Sequence, residues 1–95
     1  MSKQDTIPNK SKLEKLFDFN KKSNKSLILH NDDFNSFDYV IESLIKVCDH
    51  NIEQAEQCTL IAHYKGKCEI KKGSYEKLKP FKDGLTDRGL KATIT

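Results

Sequence analysis

The sequence contains no long apolar run. Its longest apolar stretches, such as residues 27–29 and 60–62, extend over three residues, whereas a helix needs roughly 20 to cross a bilayer. Residues 1–25 are rich in lysine but contain neither the apolar core nor the small-residue cleavage site of a secretory signal. We therefore expect a cytoplasmic protein that does not associate with membranes.

Paired cysteines are also absent. Cys48, Cys58 and Cys68 are odd in number and ten residues apart, so they make neither a complete disulfide framework nor the C-x-x-C pairs typical of zinc sites. A metal site that combines them with His50 or His63 lacks a pair at ligand spacing. We expect the three cysteines to be small buried hydrophobic residues, and we expect no metal and no cofactor.

Most of the chain lacks an excess of positive charge. The formal net charge is +3 for 95 residues, but residues 1–25 carry seven lysines and three acids, whereas residues 26–95 carry ten basic and eleven acidic side chains. Residues 1–25 also hold few apolar side chains, so we predict a flexible basic N-terminal extension there. Residues 26–95 are then expected to form one small core domain.

Two helices are predicted by apolar periodicity and by capping residues. From Phe37 onward the apolar positions follow the spacing of one helix face, and Asn35 lies ahead of them as a candidate N-cap. Asn51 and Gln54 have the spacing of a capping box for a second helix. Gly66 lies where a left-handed C-cap would end that helix.

Short alternating stretches predict three strands. Residues 26–30, SLILH, contain a short apolar run and precede a turn-forming Asn-Asp-Asp sequence, and residues 67–71 and 90–94 alternate in polarity. A third helix begins either after Ser74 as its cap or at Pro80. The order β-α-α-β-α-β predicts an α+β fold, in which three helices cover a small three-stranded antiparallel sheet.

Two polar groups of residues are candidates for function. Asp32 and Asp33 follow Asn31 at the end of the first strand, where they either form a solvated turn or bind a cation, whether a metal or an ammonium group. Thr59 and His63 share one face of the second helix because they are four residues apart. A histidine at such a position is either a packing residue or a ligand.

Residues 27–41, LILHNDDFNSFDYVI, and residues 62–67, AHYKGK, closely resemble the ClpS adaptor family. Members of that family carry a strand ending in N-D-D-aromatic and a second helix ending in H-x-x-G-K, and the spacing from Asn31 to His63 matches without a gap. The resemblance extends over residues 26–70 and to the last strand. It implies a ClpS-like fold and an adaptor protein, not an enzyme.

The resemblance further implies recognition of an N-degron, which is the free α-ammonium group and the large apolar side chain (Leu, Phe, Tyr or Trp) of a substrate's first residue. An ammonium group has three donors and no acceptor, and by similarity Asn31, Asp32 and His63 bind it. His63 must be neutral to accept a hydrogen bond, so binding is expected to weaken on acidification. By the same similarity the side-chain pocket comprises Asp33, Asn35, Phe37, Val40, Thr59, Ala62 and Leu90.

Partners follow from the same resemblance. The family delivers substrates to a Clp-type AAA+ unfoldase, ClpA-like or ClpC-like, and its peptidase, and it uses a flexible N-terminal segment during delivery. The protein is therefore expected to bind the N-terminal segments of substrate proteins, to bind no nucleic acid and to be a monomer.

The chain departs from the family pattern at the pocket. It has Asn35-Ser36-Phe37 where the family usually has Thr-Pro-Met, and Thr59 where the family has Met. Phe37 is larger and stiffer than Met, whereas Thr59 is smaller, so a narrower mouth and a wider floor are expected. The order of preference among first residues stays open, as do the unfoldase contacts within the divergent segment 71–89.

Two other functions are compatible with the residues alone. Asp32, Asp33 and His63 would serve a small metal-dependent hydrolase, although no second histidine lies at ligand spacing. The lysine-rich extension would bind nucleic acid, although residues 26–95 show no basic face with interleaved aromatic residues.

Overall fold

The computed structural model describes residues 25–95. Its elements follow one another as β1 (Lys25–His30), α1 (Phe37–Cys48), α2 (Ile52–Lys65), β2 (Lys67–Gly73), α3 (Tyr75–Asp87) and β3 (Ala92–Ile94). β1 is the central strand of a sheet with the order β2-β1-β3, and both of its pairings are antiparallel. The α+β class and the order β-α-α-β-α-β predicted from the sequence are confirmed.

Residues 1–24, nearly all of the predicted basic extension, lie outside the described part of the chain, so the extension stays a prediction. Lys25, which was assigned to it, is the first residue of β1. Between residues 25 and 95 no helix has the length and apolar character required to span a membrane.

Burial alternates along β1. Leu27 and Leu29 are buried, whereas Ile28 between them is half-buried on the opposite face of the sheet. β1 pairs with β2 along its whole length and with β3 through residues 27–29. Because the central strand is held on both sides, its last residue, His30, has a fixed position from which the following loop begins.

α1 begins at Phe37, where the apolar periodicity begins, but its cap is not the predicted one. Ser36, and not Asn35, is the N-cap, because its Oγ accepts a hydrogen bond from the backbone N of Tyr39 at 3.2 Å. The prediction of Asn35 as the cap was therefore wrong. The helix buries Leu44 and Cys48 in the core.

α2 has the predicted capping box. The Asn51 side chain accepts a hydrogen bond from the backbone N of Gln54 at 2.7 Å, and Gln54 Oε1 accepts one from the backbone N of Asn51 at 3.0 Å. Gly66 ends the helix in the left-handed conformation with φ of 92°, as predicted. The buried face of α2 consists of small side chains, namely Ala55, Cys58, Thr59 and Ala62.

α3 begins at Tyr75, with Ser74 as its cap. Ser74 Oγ accepts a hydrogen bond from the backbone N of Lys77 at 3.2 Å. The alternative start at Pro80 is therefore wrong, and Pro80 lies inside the helix. The cap and the buried Leu78 and Leu85 side chains stabilise α3 despite the proline.

Close packing joins α3 to α1. A Cβ atom on Gly84 would lie 2.8 Å from Val47 Cγ1, so the absence of a side chain permits this approach. Just beyond α3, the Arg88 carbonyl accepts a hydrogen bond from Tyr39 Oη at 2.7 Å, and Arg88 Nε donates to Ser43 Oγ at 2.8 Å. These contacts hold the turn after α3 against the first half of α1.

The core lies between the helices and the sheet, and β3 completes it. β3 is shorter than the predicted 90–94, because the backbone N of Leu90 donates to the Leu85 carbonyl at 3.0 Å and Leu90 is thereby part of the turn.

Burial raises the pKa of the Cys48 thiol to about 11, so this thiol stays protonated at neutral pH. The buried apolar residues are Leu27, Leu29, Leu44, Cys48, Ala55, Cys58, Ala62, Leu78, Leu85, Leu90 and Ala92. Of the three cysteines expected to be buried, Cys68 is half-buried.

Candidate functional site

A cavity of about 220 Å³ opens where β1 ends. Its walls come from the last residues of β1, the following loop, the first turns of α1 and the second half of α2. The residues that line it are Leu29, His30, Asn31, Asp32, Asp33, Asn35, Phe37, Val40, Thr59, Ala62 and His63.

Main-chain hydrogen bonds bring the end of β1 to the end of α2. The backbone N of Asn31 donates to the Gly66 carbonyl at 3.0 Å, and Gly66 lies three residues after His63. On the other side, the backbone N of His30 donates to the Lys91 carbonyl at 2.9 Å. Asn31 is thus held near the last turn of the helix that carries His63, although the two residues are far apart in the sequence.

The Asp32 carboxylate organises the loop. Its Oδ1 accepts hydrogen bonds from the backbone N atoms of Phe34 and Asn35, both at 2.9 Å. Partial burial raises the pKa of Asp32, but hydrogen bonds from Asn35 and Phe34 and the positive charge of Lys91 outweigh that effect, so the pKa lies below its ordinary value. Asp32 is therefore ionised at neutral pH.

Asn35 fixes this loop to the turn after α3. Its Nδ2 lies 3.3 Å from Asp32 Oδ1 and 3.1 Å from Asp32 Oδ2, and it also donates to the Gly89 carbonyl at 3.0 Å. Because the Asn35 side chain makes these contacts, it is unavailable as the helix cap. The loop geometry is consequently set by tertiary contacts.

Asp32 retains capacity for a further donor. An ionised carboxylate offers about four acceptor positions, and its Oδ2 receives a single hydrogen bond within the described residues, from Asn35. An incoming ammonium group would find this oxygen partly free and already oriented by the loop. Such charge-assisted hydrogen bonds are among the stronger ones in proteins.

The remaining wall of the cavity combines the apolar side chains of Phe37, Val40 and Ala62 with Thr59 and His63. The rings of Phe37 and His63 meet edge to face, with their centroids 5.2 Å apart and their planes at 85°. Thr59 is buried, and its Oγ1 donates to the Ala55 carbonyl at 2.7 Å, so the hydroxyl needs no partner from a ligand. The small buried Ala62 lies three residues further along α2.

The structure brings nine of the ten predicted site residues to this cavity. The exception is Leu90, which is buried in the core with 4% exposure and lines a separate cavity beside β3. Leu29 and His30 line the site but were missed. The available signal was their place as the last two residues of the strand before Asn31.

The metal-hydrolase alternative finds no ligand set between residues 25 and 95, because no group of three or more His, Cys, Asp or Glu side chains there could hold a metal ion. The alternative of nucleic-acid binding depended on the lysine-rich extension. Residues 1–24 of that extension lie outside the described part of the chain.

Comparisons with known proteins agree on one family. A family model described as ATP-dependent Clp protease adaptor protein ClpS matches residues 20–93. Proteins named ATP-dependent Clp protease adapter protein ClpS are similar in sequence: the one from Edwardsiella ictaluri is 48% identical over 42 residues, 44% of this chain and 40% of that protein. The one from Erwinia tasmaniensis is 46% identical over 41 residues, 43% of this chain and 39% of that protein. These matches span about two fifths of the relatives' length.

Proposed function

Because the chain belongs to the ClpS family of Clp protease adaptor proteins, we propose that it binds N-degrons and delivers their substrates to a Clp-type AAA+ unfoldase and its peptidase. One observation supports this proposal above all: Asn31, Asp32 and His63 line the same cavity as a group of apolar side chains. A substrate's first residue carries a positive charge and a side chain on the same Cα atom. The cavity offers the negative charge of Asp32 to the ammonium group and apolar side chains to the first side chain.

The ammonium subsite comprises Asn31, Asp32 and His63. Asp32 supplies a negative charge and a partly free carboxylate oxygen, while Asn31 and His63 offer side-chain acceptors on either side of the junction between β1 and α2. An ammonium group donates three hydrogen bonds and accepts none. An acetylated N-terminus lacks the charge and has one donor, so it should bind far more weakly.

The side-chain subsite comprises Phe37, Val40, Thr59 and Ala62, bordered by Asp33 and Asn35. The whole cavity, with the ammonium subsite included, has a volume of about 220 Å³, compared with about 150 Å³ for an engineered cavity that holds benzene, which supports a large apolar side chain as its occupant. Burial of a Leu or Phe side chain contributes roughly 1.5–3 kcal/mol. Recognition of the first residue therefore depends on charge and on size together.

The partner and the role of the extension are further parts of the proposal. A ClpA- or ClpC-like unfoldase would receive the substrate, and the basic extension of residues 1–25 would assist that step. Residues 71–89 carry no individual assignment for this contact. The predicted cytoplasmic location and monomeric state stay predictions.

Peptide binding tests the proposal directly. Fluorescence anisotropy would compare peptides of one sequence that begin with Phe, Leu or Met, and a peptide that begins with acetylated Phe. We expect free Phe and free Leu to bind and the acetylated peptide to lose at least about tenfold in affinity, since a hydrogen bond to a charged group contributes about 1.5–3 kcal/mol. Equal affinity for free and acetylated Phe would contradict the proposal.

A further inference from the structure

A second cavity lies beside β3, and we call it the basic groove. Its volume is about 500 Å³, and its lining consists of His30, Lys82, Thr86, Leu90, Lys91, Ala92 and Thr93. His30 lines both this groove and the first cavity. The two cavities are therefore adjacent at His30.

The charges in the basic groove have one sign. Lys82 and Lys91 line it and no acidic side chain does. Neither lysine belongs to an ion pair among residues 25–95, where the pairs involve Lys46, Lys72, Lys79 and Arg88. Lys82 acts electrostatically on Asp83 and Lys91 on Asp32, but neither ammonium group is held in an ion pair within that range, so each can approach a negatively charged partner.

The groove has a defined shape at its junction with the first cavity. A hydrogen bond of 2.7 Å joins His30 Nε2 to Thr93 Oγ1, and the His30 backbone N donates to the Lys91 carbonyl. The positive charge of Lys91 also acts on the carboxyl of Asp32, so Lys91 lies within electrostatic reach of the ammonium subsite. The positive charge of Lys91 in the basic groove thus lies near the negative charge of Asp32 in the candidate site.

We propose that the basic groove receives the residues immediately after the first residue of a bound substrate, and that it favours substrates with Asp or Glu at positions two to four. This inference rests on the proposed function, because it takes the first residue to occupy the cavity at Asp32. An extended peptide advances about 3.3 Å per residue, so positions two to four cover roughly 10 Å beyond the first residue. Such a substrate has a positive end followed by negative side chains, which complements the order of charges on the protein.

The test uses peptides that share Phe as the first residue and differ only at positions two to four, which carry Glu, Ser or Lys. Anisotropy titrations of the full chain at low and at high salt would give the affinities. Exposed charge pairs have small effects, so we expect the Glu peptide to bind about two- to fivefold more tightly than the Ser peptide and the Lys peptide to bind more weakly than both. Added salt should reduce the difference.

Charge-reversal variants identify the lysines that produce the preference for Glu over Ser. Lys91→Glu and Lys82→Glu, made singly, should each remove or invert the preference for Glu over Ser, whereas Lys77→Glu, an exposed lysine of α3 outside the groove, should preserve it. The affinity ratio between the two peptides is compared within each variant, because Lys91→Glu also changes the field at Asp32 and with it the affinity for every peptide. Circular dichroism of each variant would verify its fold.

The outcomes separate this inference from the proposed function. If free-Phe peptides bind equally whatever their charge, and acetylated ones do not bind, the inference is overturned while the proposed function stands. If Lys77→Glu abolishes the preference as strongly as Lys91→Glu, the effect is one of net charge and the groove is not its source. If an acetylated Glu peptide binds as tightly as the free one, both ideas fail.

Discussion

The ring of Phe37, the first residue of α1, meets the ring of His63, near the end of α2, edge to face at 5.2 Å. The contact joins the first turn of one helix to the last turn of another at the mouth of the candidate site. In the proposed function, this pair of rings places a residue of the side-chain subsite against the imidazole of the ammonium subsite. His63 also meets the ring of Tyr64 edge to face at 5.0 Å, so two aromatic contacts hold the imidazole.

Phe37→Ala should weaken binding of a Phe-first peptide by about tenfold. The variant removes part of the apolar wall that a first-residue side chain would contact, and burial of such a side chain contributes roughly 1.5–3 kcal/mol. It also removes the aromatic pair with His63, so the free energy of unfolding should fall by about 0.5–1.5 kcal/mol. Calorimetric or anisotropy titration would measure the affinity.

Phe34→Ala is the matched control for that change. Phe34 lies three residues earlier, is 95% exposed and does not line the cavity, so its removal should leave affinity within about twofold, the range typical of exposed substitutions. A loss for Phe34→Ala equal to that for Phe37→Ala would mean that the binding surface lies outside the cavity.

Asp32→Asn should reduce affinity for a free N-terminus by about tenfold or more, because it removes the negative charge while it keeps the size of the side chain. It should also lower the free energy of unfolding, since Oδ1 accepts hydrogen bonds from the backbone N atoms of Phe34 and Asn35. Asp87→Asn, outside the cavity, serves as control. If Asp32→Asn unfolds more easily and yet binds with unchanged affinity, Asp32 is a structural residue of the loop only.

The free energy of unfolding should fall as the pH drops below about 6.5, because of His50. Burial and the nearby charge of Lys71 lower the pKa of His50 from its ordinary value of 6.5, while a hydrogen bond with the Ile70 backbone opposes them. The unfolded chain then binds a proton more readily than the folded chain, so stability is present above the ordinary pKa and is lost as the pH falls through the lowered one.

Urea unfolding at a series of pH values would measure this decline. His50→Gln, which cannot ionise, should flatten the profile below pH 6.5. An unchanged slope in His50→Gln would assign the effect to another group.

Gly84→Ala should destabilise the protein by about 1–3 kcal/mol, the range for overpacking a close contact. The added Cβ would lie 2.8 Å from Val47 Cγ1. The cost of this steric clash outweighs the gain of about 1 kcal/mol in helix propensity. Thermal or urea denaturation would measure it. In a Val47→Ala background the same substitution should be neutral or stabilising; an equal loss in both backgrounds would show that contact with Val47 is not the cause.

Local signals were sufficient where the stabilising partner is near in sequence. Asn51 and Gln54 lie three residues apart, so their reciprocal hydrogen bonds could be predicted from spacing alone. The local pattern gave the wrong N-cap at Asn35, because the Asn35 side chain donates hydrogen bonds to Asp32 and to the distant Gly89 carbonyl. Ser36 is the N-cap instead, because its Oγ accepts a hydrogen bond from the backbone N of Tyr39.

The sequence by itself determined the order of elements, the family and the residues that line most of the site, because periodicity, capping and the N-D-D and H-x-x-G-K motifs are read along the chain. Tertiary structure alone decided that Leu90 turns into the core, that His30 lies between the site and a basic groove, and that Phe37 contacts His63. These facts depend on strand pairing and helix packing between segments far apart in the sequence, and no local pattern encodes such contacts.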